Sequence, residues 1–182
     1  MRPGTVLSEV LAPEEQDAAV AGLLRRLWID PPAGHPFRPL QSMCDAWAQE
    51  FDRTYAAHVR GLHRDPGVIR AGIGLLRSLP GTAATSVLLC TDLHAGNVLA
   101  AEREPWLVID PKPYLGDPAY DPVQHMLNFP DRLLADPAGL ARRMADLLDL
   151  DDDRVRAWLF ARCVQESWDQ PHLWSAAITL AP

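Results

Sequence analysis

A polar turn between two short apolar runs constrains this chain more than any other part of its sequence. The first run, Val87–Leu89, predicts a buried strand, and the second, Val98–Ala100, follows directly after the turn. The turn carries Asp92, His94 and Asn97, and Asn97 stands five residues after Asp92. One short connection therefore holds a carboxylate, an imidazole and an amide.

A second carboxylate follows the next predicted strand. Residues 106–109 are apolar, Asp110 ends that run, and the polar residues 102–105 before it predict the turn of a β-hairpin. In protein kinases an aspartate accepts the proton of the substrate hydroxyl. An asparagine five residues later and an aspartate after the next strand bind the metals that bridge the nucleotide phosphates. Asp92, Asn97 and Asp110 have that order and spacing, so the sequence predicts phosphoryl transfer with the oxygen ligands that Mg²⁺ prefers.

Three sequence blocks, taken in order, resemble one family of kinases. The blocks are residues 90–97 (CTDLHAGN), 108–113 (VIDPKP) and 116–121 (GDPAYD). They resemble the aminoglycoside phosphotransferases, which are kin of the protein kinases, and within them the streptomycin 6-kinase and hydroxyurea phosphotransferase branch. The common form of the first block begins His-Gly-Asp, whereas Cys90 and Thr91 precede the aspartate here; the streptomycin branch is similar in this respect.

The resemblance implies a mainly α fold with a small β-hairpin, an α+β protein-kinase-like C-terminal lobe without the N-terminal lobe. We expect a single domain over residues 1–182 with the catalytic hairpin at about 86–121. The small lobe of a kinase supplies a Gly-rich loop and a lysine that contact the phosphates. Gly72 and Gly74 are the nearest match to such a loop, but they lie inside a helical pattern, so we expect both of those elements to be absent from this chain.

The resemblance assigns roles to the residues of the turn. Asp92 is the predicted catalytic base, and Asn97 and Asp110 are the predicted Mg²⁺ ligands, which with His94 would contact the nucleotide. Aspartate and asparagine also favour turns for purely structural reasons. For His94 two interpretations stay open, a hydrogen bond to phosphate and a hydrogen bond that braces the loop against a backbone carbonyl.

Other residues in the three blocks are predicted to support the turn. We expect Cys90 to pack beneath it, and Asp117 and Asp121 to accept hydrogen bonds from its backbone amides or to cap the following helix. Lys112 follows the second metal ligand; it either reaches a phosphate or is an exposed loop residue, and we favour the second interpretation.

The predicted acceptor is a small cationic molecule, an aminoglycoside such as streptomycin. In such kinases an acidic cleft on the large lobe binds the cationic antibiotic, so the resemblance makes Glu166, Trp168 and Asp169 candidates for the substrate site. A solvated helix end explains these three residues equally well. Two alternatives remain: a kinase with another acceptor, such as hydroxyurea, and an isolated, non-catalytic C-terminal lobe.

Composition limits the function classes further. The net charge of −7 argues against a nucleic-acid-binding surface and suits a cationic partner. The three cysteines, Cys44, Cys90 and Cys163, are widely spaced in apolar contexts, which predicts reduced thiols in a cytoplasmic protein. We find neither a signal peptide nor an apolar run long enough to span a membrane. The family resemblance, and not the composition, implies the predicted partners: Mg²⁺, ATP as phosphate donor, the small-molecule acceptor and a kinase N-terminal lobe.

Helical periodicity accounts for most of the remaining sequence. Helices are predicted at residues 13–27, 40–58, from 65 to near 80, 121–127, 136–148, 154–168 and 172–180. Residues 111–118 are rich in proline and glycine and predict a loop. The acidic residues 151–153 resemble a metal site, but we interpret them as the capped start of a helix.

Overall fold

This computed structural model describes residues 2–58 and 64–182, which form helices, short strands and 3₁₀ turns. The helices are α1 (Leu7–Val10), α2 (Pro13–Leu27), α3 (Leu40–His58), α4 (Pro66–Ser78), α5 (Val123–Leu127), α6 (Pro130–Ala135), α7 (Pro137–Leu148), α8 (Asp152–Glu166) and α9 (Leu173–Leu180). The strands are β1 (Arg38–Pro39), β2 (Val87–Leu89), β3 (Val98–Ala100), β4 (Trp106–Val108) and β5 (Tyr114–Gly116). The 3₁₀ turns are Pro80–Thr82, Ala95–Asn97 and Pro118–Tyr120.

Side-chain caps start three of the predicted helices, α4, α7 and α8; in α4 the Asp65 carboxylate accepts a hydrogen bond from the Gly67 amide at 2.6 Å. The Asp136 carboxylate accepts a hydrogen bond from the Gly139 amide at 2.8 Å, and Asp151 accepts one from the Arg154 amide at 2.7 Å. Such caps satisfy amides that have no partner within the helix. The acidic run that begins at Asp151 is therefore a helix start, as the sequence predicted.

Helix α8 lies at the centre of the helical layer and packs against α4, α7 and α9. The ring of Trp158 on α8 packs edge-on against Tyr120, with 5.1 Å between the ring centroids. The Tyr120 ring in turn lies 6.5 Å from the ring of Trp47 on α3. Aromatic pairs at these distances add to the stability that burial supplies. The aromatic side chains spaced four residues apart on α3, namely Trp47, Phe51 and Tyr55, pack in or against the hydrophobic core.

Close packing of α4 on α8 depends on a glycine. A Cβ atom added at Gly72 would lie 2.5 Å from a methyl carbon of Val164, whereas one added at Gly74 would meet nothing within 4 Å. We expect Gly72→Ala to lower the free energy of unfolding by about 1–3 kcal/mol, because overpacking forces the helices apart. Gly74→Ala is the matched control and should raise it by about 0.5–1 kcal/mol. Urea denaturation of both variants measures the difference, and equal midpoints would contradict this account of the packing.

A buried carboxylate joins four helices. Asp17 of α2 accepts hydrogen bonds from Arg132 and Arg143, each at 2.7 Å, and lies 3.0 Å from a ring nitrogen of His125. Asp17 and His125 are fully buried. These contacts tie α2 to α5, α6 and α7 through one side chain.

The strands form two small sheets. In the first, β5 lies between β1, to which it is parallel, and β2, to which it is antiparallel with Leu115 opposite Leu88. In the second, β3 and β4 form the predicted antiparallel hairpin, with Val98 opposite Val108. The prediction of a loop over residues 111–118 was wrong at β5, because pairing with β2 orders a segment whose local composition favours a turn.

Two connections cross between these sheets and run side by side. The chain passes from β2 to β3 through residues 90–97, and it passes back from β4 to β5 through residues 109–113. The Ile109 amide donates to the Asn97 carbonyl at 2.9 Å, and the Lys112 amide donates to the Cys90 carbonyl at 3.0 Å. The topology therefore brings the two connections that carry the predicted functional carboxylates against each other.

Across residues 2–58 and 64–182, every helix is too short or too polar to span a lipid bilayer.

Candidate active site

The turn of residues 90–97 is anchored from below by one buried carboxylate. Asp121 accepts hydrogen bonds from the amides of Cys90 at 3.0 Å and Thr91 at 2.7 Å, and from the indole N–H of Trp28 at 2.9 Å. Burial raises the pKa of Asp121, against the opposing effect of these three donors. Asp121 does not cap α5, which begins at Val123 without a side-chain cap, so it supports the turn instead.

We expect Asp121→Asn to lower the free energy of unfolding by about 1–3 kcal/mol, because the amide nitrogen would face N–H donors that need an acceptor. Urea denaturation tests this result. The control is Glu104→Gln, which removes a carboxylate from an exposed ion pair with Arg26 and should change stability by less than about 1 kcal/mol. Equal effects of the two substitutions would contradict the anchoring role.

Asp117 supports a neighbouring part of the structure. Its carboxylate accepts hydrogen bonds from the Ala119 amide at 3.0 Å, the Trp158 indole at 2.6 Å and Arg154 at 2.6 Å. These contacts start the 3₁₀ turn at Pro118–Tyr120 and tie it to α8. Of the two roles predicted for this residue, the structure shows the cap.

The backbone at or next to the two carboxylates adopts a left-handed conformation that residues other than glycine rarely adopt. Thr91 has φ of 55° and Asp110 has φ of 51°, in the left-handed region. The Thr91 hydroxyl also donates to the Lys112 carbonyl at 2.5 Å. Strain of this kind persists only where surrounding contacts hold it in place and is concentrated at functional sites, which here are the residue before Asp92 and Asp110 itself.

The structure brings the three predicted catalytic and metal-binding residues together. The Asn97 amide nitrogen donates to the Asp92 carbonyl at 3.0 Å. The Asp92 and Asp110 carboxylates converge on the ammonium group of Lys112, which contacts Asp92 and lies 3.4 Å from Asp110. The Asp92 side chain is 22% exposed and that of Asp110 is 71% exposed, so the group opens toward solvent.

These side chains fit a magnesium ion. A single cation, the Lys112 ammonium, already reaches both carboxylates, and the hydrogen bond from Asn97 uses its nitrogen and leaves the amide oxygen as a ligand. In the described ranges no three His, Cys, Asp or Glu side chains cluster at one point. Mg²⁺ is usually held by one or two carboxylates, with phosphate and water oxygens as its other ligands.

His94 and Cys90 brace the turn from within. The His94 ring nitrogen Nδ1 accepts a hydrogen bond from the Gly96 amide at 3.1 Å, and burial lowers the pKa of His94. Of the two interpretations left open for His94, the ring shows a bracing contact, although with the Gly96 amide and not with a backbone carbonyl; the contact with phosphate stays a prediction. Cys90 is buried, and burial raises the pKa of its thiol to about 12, so it packs beneath the turn as an uncharged thiol.

A cavity of about 620 Å³ opens beside Asp92 and reaches the end of α8 at Glu166. Its walls come from the two inter-sheet connections, strands β1 and β5, and helices α3, α5 and α8. The lining residues are Arg38, Met43, Trp47, Thr91, Asp92, Pro111, Lys112, Pro113, Tyr114, Gln124, Arg162 and Glu166. Trp168 and Asp169 line a separate pocket of about 110 Å³ that also includes Trp47. Among the predicted acceptor residues, Glu166 alone is placed in the cavity that holds Asp92.

Sequence reasoning missed the role of Arg162 in this cavity. Its guanidinium lies 4.0 Å from the centre of the Trp47 ring and donates to the Glu166 carboxylate at 2.7 Å. Arginine and glutamate four residues apart on a helix are a recognised pairing signal. That spacing was available in the sequence, but the stacking on α3 was not.

Comparison with solved structures shows the fold. The chain is similar to choline kinase from Cryptosporidium parvum with a TM-score of 0.56 and 10% identity, covering 99% of this chain and 66% of that one. It is similar to a mutant aminoglycoside 2'-phosphotransferase IIIa, solved as a GDP complex, with a TM-score of 0.52 and 19% identity, covering 97% and 65%. These likenesses confirm the predicted α+β, protein-kinase-like fold.

Sequence comparison gives closer relatives. The chain is 38% identical to streptomycin 6-kinase from Streptomyces glaucescens over 92% of its own length and 58% of the relative, and 36% identical to streptomycin 6-kinase from Streptomyces griseus over 90% and 54%. Hydroxyurea phosphotransferase from Kitasatospora aureofaciens is 48% identical over 43% of this chain and 22% of its own. The chain thus spans about half the length of the streptomycin kinases that it matches.

A family model described as "Aminoglycoside/hydroxyurea antibiotic resistance kinase" matches residues 1–170. The match covers the turn of residues 90–97, the second connection with Asp110 and most of the helical layer. With the two streptomycin kinases, it confirms the family and branch that the three sequence blocks resemble. This chain belongs to the aminoglycoside/hydroxyurea antibiotic resistance kinase family.

Proposed function

We propose that this chain carries the catalytic residues for transfer of the ATP γ-phosphoryl group to a hydroxyl of a small molecule, with streptomycin as the acceptor. The observation that supports it most is the convergence of Asp92 and Asp110 on one cation, from two adjoining connections. Asn97 lies on the same turn, hydrogen-bonded to the Asp92 backbone. The cavity beside Asp92 offers space for an acceptor.

In the proposed mechanism Asp92 accepts the proton of the acceptor hydroxyl as its oxygen attacks the γ-phosphorus. Asp110 and the Asn97 amide oxygen would hold Mg²⁺, which would supply positive charge to neutralise the nucleotide phosphates. The turn fixes Asp92 through the hydrogen bonds that the Cys90 and Thr91 amides donate to Asp121 and through the strained Thr91 backbone. Catalysis in this class comes mainly from positioning and charge stabilisation, which suits a base held in a rigid turn.

Streptomycin is the proposed acceptor because the two most extensive relatives are streptomycin 6-kinases. Glu166 gives the cavity a carboxylate away from Asp92 that could accept a hydrogen bond from a donor group of the acceptor. Arg162 holds Glu166 by a hydrogen bond, so this carboxylate is oriented before any acceptor binds. Hydroxyurea, which is uncharged, is the comparison acceptor.

The test is incubation of the chain with ATP, Mg²⁺ and either streptomycin or hydroxyurea, followed by mass spectrometry of the acceptor. A phosphorylated streptomycin that forms only when ATP and Mg²⁺ are both present would support the proposal. The same assay is repeated with the remaining part of the Streptomyces glaucescens kinase supplied as a separate polypeptide. Absence of product in both formats would overturn the proposal, and product from hydroxyurea alone would overturn the choice of acceptor.

A second candidate function is a folded, non-catalytic domain. Gly72 and Gly74, the nearest sequence match to a phosphate-binding loop, lie in helix α4. Isothermal titration with Mg·ATP separates the two functions. Saturable binding favours the kinase, and its absence favours the non-catalytic domain.

A further inference from the structure

The chain contains one lysine, and the fold places it at the two carboxylates. Lys112 is the only lysine among 17 lysine and arginine residues. Its ammonium contacts the Asp92 carboxylate and lies 3.4 Å from that of Asp110. An ammonium is a compact point charge on a flexible stem, whereas a guanidinium is a rigid planar fork. A single lysine in an arginine-rich chain therefore marks a position where the smaller, more mobile cation is useful.

The backbone of Lys112 is held on both sides by the turn that carries Asp92. Its amide donates to the Cys90 carbonyl at 3.0 Å, and its carbonyl accepts from the Thr91 hydroxyl at 2.5 Å. These contacts fix where the side chain starts. The side chain itself is 55% exposed and lines the cavity beside Asp92, so solvent reaches the lysine as well as the two carboxylates.

The other cationic side chains that line this cavity are engaged elsewhere. Arg162 is buried, stacks on Trp47 and donates to Glu166. Arg38 lies 4.9 Å from the centre of the Tyr114 ring. Among the described residues that line the cavity, Lys112 is the cation that contacts Asp92, where the proposed reaction takes place.

We infer that Lys112 is a catalytic residue whose ammonium holds Asp92 and Asp110 together before nucleotide binds and then contacts the transferring phosphoryl group. The inference rests on the proposed function, because it presumes that nucleotide binds at these carboxylates. Two carboxylates that face each other repel, and one bridging cation removes that cost. When the nucleotide arrives, the flexible lysine stem would let the ammonium exchange these carboxylates for γ-phosphate oxygens.

Lys112 stays protonated throughout the transfer of the phosphoryl group from ATP to the acceptor. The acceptor oxygen forms a bond to the γ-phosphorus, and its proton goes to Asp92. The bond between the γ-phosphorus and the bridging oxygen breaks, and its electron pair leaves with ADP. The lysine forms and breaks no covalent bond, and its ammonium stabilises charge on the equatorial oxygens of the transferring group.

The first test compares the steady-state kinetics of Lys112→Met and Lys112→Arg. We expect Lys112→Met to lower kcat by about 10²- to 10³-fold, as the loss of one transition-state donor does elsewhere, with a smaller change in the KM for ATP. Lys112→Arg retains the positive charge, so its kcat should be at least tenfold higher than that of Lys112→Met. Arg142→Met, which removes one positive charge from an exposed pair with Asp152, is the matched control and should leave kcat unchanged. Wild-type kcat in Lys112→Met overturns the inference.

The second test does not depend on turnover. Labelling with ¹⁵N-lysine gives this chain a single ε-ammonium signal, so NMR titration reports on Lys112 without assignment. We expect Mg·AMP-PNP, a non-hydrolysable ATP analogue, to shift that signal more than Mg·ADP does, because only the first carries a γ-phosphate. An unchanged signal at saturating nucleotide overturns the inference.

The two tests separate failure of the inference from failure of the proposed function. A wild-type chain that binds nucleotide and shifts the ammonium signal, but phosphorylates no acceptor, would overturn the transfer function and leave the phosphate contact supported. A chain that phosphorylates streptomycin equally well with methionine at position 112 would overturn the inference alone. Absence of any nucleotide binding would overturn both.

Discussion

Replacing Asp92 with asparagine is expected to lower kcat by about 10²- to 10⁴-fold, the range that a positioned general base contributes. An amide has nearly the shape of the carboxylate but cannot accept the proton of the acceptor hydroxyl. The residue lies next to strained backbone at Thr91 and contacts Lys112, so its position is set before substrate arrives. Initial rates of ADP release with streptomycin, confirmed by mass spectrometry of the product, measure the effect.

The fold of the Asp92→Asn variant should remain intact. The lost ion pair with Lys112 is partly exposed, and such pairs contribute about 0–1 kcal/mol to the free energy of unfolding. Asp153→Asn is the matched control, because its side chain is 90% exposed and pairs with Arg156 on the surface of α8. A variant at position 92 with at least a tenth of the wild-type kcat would count against general-base catalysis by this residue.

Replacing Asp17 with alanine is expected to have the largest effect on stability, a loss of about 3 kcal/mol in the free energy of unfolding. The substitution leaves Arg132, Arg143 and His125 without their shared acceptor. This loss is at the lower end of the range expected for breaking a buried ion pair, because the guanidinium groups of Arg132 and Arg143 are partly exposed. Urea denaturation at neutral pH measures it, with Asp52→Ala, an exposed carboxylate paired with Arg77, as the control.

The same carboxylate should make the protein sensitive to acid. Burial alone would raise the pKa of Asp17, but hydrogen bonds from His125, Arg132 and Arg143 outweigh it and hold the pKa well below its ordinary value of 3.8. The contribution to stability is therefore complete above the unfolded-state pKa and is lost as the pH falls below about 4. Asp17→Ala should lose less stability than wild type between pH 4 and pH 2. Parallel stability curves for the two proteins in that range would contradict the role of Asp17.

Much of the helical framework was predictable because helix signals are local. The bounds of α2 and α3 agree with the apolar periodicity, and proline or aspartate caps mark the starts of α4 and α7. A side chain repeated every three or four residues lies on one helix face whatever the rest of the chain does. The short helices α1 and α6 were missed, because one turn of helix has too few residues to show a period.

The candidate site also has one part that local sequence predicted and another that it did not. The spacing of Asp92, Asn97 and Asp110 along the chain predicted a shared site, and the structure brings these three residues together. Their mutual distance was predictable because the intervening strands form a local hairpin. The sequence did not decide which side chain supports the turn, because Asp121 could equally have capped the following helix.

By itself the sequence determined the family, the order of most helices and the residues that carry the proposed chemistry, because each of these is written in short, contiguous patterns. The tertiary structure alone decided that Asp121 accepts from the turn and from Trp28, 93 residues away in sequence, and that Lys112 bridges two carboxylates. It also decided that Glu166 shares a cavity with Asp92. Such contacts arise when distant elements pack on a common core, and no local pattern records which polar groups that packing brings within hydrogen-bonding distance.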